Sequence, residues 1–182
     1  MNRITTRDPE ALRKRREDAV KHMEFVCKLY KRQMDRRRLF LQEHPAQADS
    51  WSEECVRRVA DSENVDTVVV DQCQYGQCDG DGNPIKKPTR WMSNSPHILR
   101  SLSARCTGRG GWCSGTNALK KHIPASGRIA RDAAIYQFQL CRATLEGLRE
   151  EMISRGRMSA NLNIFAPFQL LKGTLDVNPI DH

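Results

Sequence analysis

A chain of 182 residues has room for one domain with its own core and little room for two. Lys and Arg number 30 against 22 Asp and Glu, a formal charge of +8, with a mean hydropathy of −0.66. That balance excludes an acidic disordered tail and a membrane-embedded chain. It fits either a solvated basic surface or an anionic partner, with DNA or RNA the expected one.

The N-terminus MNRITTRDPEALRKRRED is charged throughout and carries no apolar signal segment. No apolar run approaches the roughly 20 residues that a membrane span requires. An intracellular setting, nuclear or cytoplasmic, is therefore expected. There the seven cysteines are reduced thiols or metal ligands; seven is odd and cannot pair fully.

In chain order, residues 1–7 are expected to be a flexible lead. Asp8-Pro9-Glu10 then reads as an N-cap, a first-turn proline and a first-turn acid. The helix runs to about Asp35. Val20, Met23, Cys27, Tyr30 and Met34 step by three and four, which predicts one buried stripe under a basic outer face. Arg36, Arg37 and Arg38 lead into LFLQEHP (39–45), a short strand ending in Glu43, His44 and Pro45. Ser50-Trp51-Ser52-Glu53 has the pattern of a capping box opening a helix to about Ala60. Thr67–Asp71 (TVVVD) reads as a central parallel strand covered on both faces. After a Gly- and Asp-rich loop, Pro88–Asn94 returns as an antiparallel edge strand. Ser95-Pro96 caps a further helix. The Gly-rich stretch 105–127 has no regular pattern, and a final helix is expected from near Ser126 to Met152.

This order predicts an α/β domain over 8–153, with a small mixed sheet of two parallel strands and an antiparallel edge hairpin. A C-terminal tail, 154–182, follows; its NIFAPFQLL segment is apolar enough to dock on the body. The strand ending at LFLQEHP has no preceding partner strand. Marginal stability or a homodimer through the exposed sheet edge is the consequence.

Three groups of residues carry candidate chemistry. Glu43 and His44 lie at a strand's carboxyl end, where open α/β sheets bind ligands; a carboxylate there serves as acid, base or base-edge contact, or merely bonds loop amides. Cys106, Cys113 and His122 are spaced C-x6-C-x8-H, with Cys73 and Cys78 candidates to join them. They supply zinc-type ligands in a loop with little core of its own, although unligated loop thiols fit the spacing equally. Lys86, Lys87, Arg90 and Trp91 mix cations with an aromatic ring at a hairpin rim. Together with Arg36, Arg37 and Arg38 they are candidates for phosphate contact and base stacking; the alternative places Trp91 in the core. No P-loop and no G-x-G-x-x-G is present.

The phrases LFLQEHPAQADSW, VVVDQCQYGQCDGDGNPIKKPTRWMSNSPHIL and GRIARDAAIYQFQLCRATLEGL, in that order over residues 8–152, resemble a domain recurrent in polyproteins of retrotransposons from unicellular eukaryotes. That resemblance implies a mobile-element origin and no defined reaction; a proline is expected in such relatives where this chain has Gln137. More distantly, the motif order is similar to the second half of cytosine-5 DNA methyltransferases, which implies a partial Rossmann-like, three-layer fold. It places Glu43 as the acid facing a flipped cytosine, with Lys87, Thr89 and Arg90 on a basic strand near the substrate. The departures are a Glu-His step for the family's Glu-Asn, and no cysteine in a Pro-Cys context. A binding segment for S-adenosylmethionine and a nucleophile would have to come from upstream. Three functions are thus expected to compete: a retroelement-derived, non-catalytic nucleic-acid-binding domain; half of a methyltransferase-like enzyme; and a zinc-stabilised interaction module.

Overall fold

Helix α1, Pro9–Asp35, starts where the cap signals place it in this computed structural model, which describes residues 8–115 and 120–161. Asp8 Oδ1 accepts from the Glu10 and Ala11 amides at 3.0 and 3.1 Å. Its predicted stripe is the buried one: Cys27 is buried, and Met23, Tyr30 and Met34 pack around it. The chain turns at Arg37, whose φ is +54°, into β1, Leu41–Pro45. Strand β2 is Asp66–Asp71 and β3 is Pro88–Ser93.

The strand order is β1-β3-β2, and both outer strands run antiparallel to β3. This corrects the expected sheet: no two neighbouring strands are parallel, TVVVD is an outer strand, and the returning strand lies in the middle. The reason is burial on both faces of β3. Trp91 packs on one side with Val70, Ile98, Leu99, Leu102 and Leu140, and Met92 on the other with Cys27, Phe40, Val56 and Val59. Thr89 and Ser93 are also buried, and both are hydrogen-bonded. Pro88 occupies the first position of the strand, where a missing N–H is tolerated.

Helices therefore cover both faces. On one side lie α1 and α2, Glu54–Ala60; on the other lie α3, Pro96–Ser101, and α5, Phe138–Ser154. The capping box before α2 does not form. Ser50 Oγ is 2.7 Å from His44 Nδ1, residues Asp49–Ser52 make a 3-10 turn, and Glu53 precedes α2 without a side-chain cap. Ser95 does cap α3, accepting from Ile98 N at 3.2 Å. The expected long final helix is two: α4, Gly127–Asp132, and α5. Between them the Ala133 carbonyl accepts from Lys87 Nζ at 2.6 Å and Tyr136 turns onto Trp91, contacts a continuous helix could not make together. Glu151, in the last turn of α5, is buried and accepts from Ser95 Oγ at 2.6 Å and from Arg155 Nε at 2.6 Å. The lead 1–7 and the segment NIFAPFQLL lie outside the described residues.

Candidate metal centre

Four side chains predicted as ligands come together: Cys73, Cys106, Cys113 and His122 each offer one donor atom, all within 4.8 Å of one another. Their sources are separate. Cys73 sits in the one-turn 3-10 segment Gln72–Tyr75 that continues β2. Cys106 arrives after α3, where the chain folds back on the end of β2: the Asp71 amide donates to Ala104 O at 3.1 Å, and Asp71 Oδ2 accepts from Cys106 N and Arg105 Nε, each at 2.9 Å. Cys113 and His122 follow the two residues of a small antiparallel bridge, Trp112 with Lys121, which sets them side by side. Cys78, the fifth candidate, is elsewhere, bridged to Pro84.

The spacing suits a tetrahedral ion. With Zn–S about 2.3 Å and Zn–N about 2.0 Å, the ligand–ligand edges are roughly 3.5–3.8 Å. Cys106 Sγ to His122 Nε2 is 3.6 Å. Amides are aimed at the sulfurs: Ser114 N lies 3.4 Å from Cys106 Sγ and Gly115 N lies 3.3 Å from Cys113 Sγ. Such donors stabilise thiolate and orient it. Burial works against the Cys106 thiolate, yet the hydrogen bonds from Ser114 and Gly108 outweigh it and bring the group down to about 6. Burial pushes the Cys73 thiol up to about 12, so a bound cation is what would hold it deprotonated at neutral pH.

Two glycines permit the close packing. A Cβ at Gly115 would meet Cys73 O at 2.8 Å, and one at Gly108 would meet Trp112 O at 1.9 Å. These glycines and Asp71 are the parts of the centre that sequence reasoning missed. The available signal was an acid closing an otherwise apolar strand.

A ligand set of three cysteines and one histidine uses all four tetrahedral positions, so an ion here would be structural rather than catalytic.

The other candidates are not gathered into one site. Successive strand residues point to opposite faces, so Glu43 and His44 separate. His44 meets Ser50 and the edge of Trp51, whereas Glu43 lies near Tyr136 and Lys87. Burial first, and then Glu43, raises the Tyr136 phenol; burial lowers Lys87, partly offset by Glu43. Trp91 is 5% exposed and packs in the core, so it offers no ring face to a base. Arg90 lies over Trp51 with 5.2 Å to the ring centroid, and Lys86 is half-buried. Arg36, Arg37 and Arg38 are exposed at the corner between α1 and β1. Among the described residues, no helix is long and apolar enough to cross a membrane.

Comparison with protein-family models, with curated proteins and with solved structures returned no match.

Proposed function

We propose that this chain is a non-catalytic, zinc-stabilised module that binds nucleic acid through basic surface around and beside the metal loop. The observation that carries the reading is the convergence of Cys73, Cys106, Cys113 and His122 into a closed ligand set. Its support on the partner side is charge: +8 over the chain, with exposed cations at Arg36–Arg38 and, on the metal loop, at Arg109, Lys120 and Lys121. A retroelement origin, suggested by the order of the sequence phrases, agrees with a partner of that chemistry. The test has two measurements on purified protein. Metal analysis is expected to give about one zinc per chain. Affinity for DNA or RNA is expected to fall log-linearly with salt. Absence of binding at low salt removes the reading.

A second reading is favoured by one observation. Strands β1 and β2 share a direction and are joined through α2, the connection of an α/β crossover, with β3 inserted between them. On that reading the chain is the C-terminal, Rossmann-like part of a methyltransferase-like enzyme. Glu43, beside Tyr136, would be one wall of its base pocket. It requires an upstream segment that binds S-adenosylmethionine and carries the nucleophile; a transcript without such a segment ends it.

A further inference from the structure

We propose that Trp112 is a stacking platform for an unpaired base of a single-stranded nucleic acid, presented outward by the metal loop. The proposal rests on the nucleic-acid reading above and narrows it to one strand type and one contact. Of the three tryptophans, Trp91 is in the core and Trp51 is half-buried beneath Arg90. Trp112 is 46% exposed.

Its backbone is fixed from both sides. The Trp112 amide donates to Arg109 O at 3.0 Å, and the residue bridges to Lys121. The flanking bonds, Cys113 N to Lys120 O at 3.0 Å and His122 N to Gly111 O at 2.8 Å, belong to two of the metal ligands. The indole is thus carried on a scaffold whose two strands are clamped by the same ion. Beside it are Gly110 and Gly111, which offer no side chain to cover the ring.

The charge around the ring is positive. Lys121 Nζ lies over one face of the ring, 5.4 Å from its centroid, so a base would stack on the opposite face, and Arg109 and Lys120 are exposed on the same loop. An exposed indole with a cation over one face and others on the same loop matches the two needs of an unpaired strand: stacking for a base and counter-charge for the flanking phosphates. Within a duplex the bases stay stacked on one another and only the two end pairs expose a face, so the contact favours single strands.

The test uses the full zinc-loaded chain, labelled oligothymidylate and a blunt duplex of equal length, at low salt. Wild type, Trp112→Ala and Trp112→Phe are compared for affinity and metal content. Trp112→Ala is expected to weaken single-strand binding by roughly tenfold, with duplex affinity and zinc unchanged. Trp112→Phe should recover most of the loss. Oligothymidylate should also quench the tryptophan fluorescence of wild type and leave that of Trp112→Phe unaffected. Unchanged single-strand affinity in Trp112→Ala overturns the platform while leaving the broader reading standing. Equal losses on both ligands together with loss of zinc overturn it too, because Trp112 is then a scaffold residue. A wild-type chain that binds neither ligand removes both.

Discussion

Cys113→Ser removes one metal ligand with almost no change in volume, which makes it the sharpest perturbation of the centre. Cys113 is 2% exposed, and its sulfur takes one amide hydrogen bond, from Gly115. Around it, the described part of the stretch 103–125 holds no other buried side chain. Its ties to the body are mostly polar: Ala104, Arg105 and Cys106 on Asp71, Ser114 Oγ accepting from Gln74 Nε2 at 3.5 Å, Lys120 Nζ on Asp81 O at 2.9 Å, and Ile123 N on Pro84 O at 3.0 Å. On the proposed reading, an ion bound by the four side chains would supply most of the loop's stability. An ion present at a thousand times its dissociation constant stabilises the folded state by about 4 kcal/mol. In a chain of this length each kcal/mol moves the midpoint by about 2–4 °C, so the expected fall in Tm is roughly 8–16 °C. The assay is thermal unfolding with and without a chelator, alongside metal analysis. Chelator should lower wild type to the level of Cys113→Ser and leave the variant where it is. A variant that keeps one zinc per chain, or a wild type indifferent to chelator, would refute the assignment of Cys113 as a ligand.

Three further expectations concern the body. A Cβ on Gly147 would lie 2.7 Å from Ile98 Cα and 2.9 Å from His97 O, where α5 crosses α3. Gly147→Ala should therefore destabilise by about 1–2 kcal/mol in denaturant titration, overpacking outweighing a helix-propensity gain of about 1 kcal/mol; a more stable variant would show that the helices can part. Glu151 is subject to burial, which pushes its carboxyl up, but hydrogen bonds from Ser95 and Arg155 and the Arg155 charge outweigh it and hold the group below the usual carboxylate range. Its contribution is accordingly full above the unfolded value of about 4.3 and lost as pH falls through the folded one. Glu151→Gln should flatten the acid limb of stability against pH, and an unchanged limb would assign that limb to other carboxylates. Gln42 is 4% exposed, and neither its Nε2 nor its Oε1 has a hydrogen-bond partner among the described residues. Gln42→Met should stabilise the isolated chain by about 1–2 kcal/mol. A loss of stability instead would mean that the amide is satisfied within the folded chain, by ordered water or by a shifted neighbour.

Legibility in the sequence followed the range of the interaction. The start of α1 is a local matter: Asp8, Pro9 and Glu10 act on the turn they begin, and the helix starts there. The capping box failed although it is equally local, because Ser50 had a stronger claim from His44, on a neighbouring strand. The candidate ligands were legible by residue type, since cysteines and a histidine are zinc-type donors, but the spacing alone fitted unligated thiols equally, and only their convergence separates the two. The fold-back that delivers Cys106 was not legible, because it depends on Asp71, whose partners lie beyond α3. The strand order was misread for a related reason. Thr89 and Ser93 look like solvent-facing positions of an edge strand, and they become interior only because Gln72 and Phe40 supply their hydrogen bonds. The break before α5 left no trace. Gln137 precedes α5 in extended backbone with φ −67°, and nothing in its side chain marks it as a helix start.

The two apolar clusters and the metal loop divide the molecule's labour. Both clusters are complete without the ion: one binds α3 and α5 to the sheet, the other α1 and α2. Cys73 and Asp71 are where the loop meets that body, and both are buried at the end of β2. The loop itself, with four glycines among its described residues, can bury almost nothing. On the proposed reading, a cross-link through an ion would do there what apolar area does elsewhere, with Trp112, Lys121 and Arg109 on the loop's exposed side. Depleting the metal should then separate two properties that are joined in the holo chain. The sheet and its helices would persist, as they need only their own packing, while selectivity for a single strand would be lost with the order of the loop.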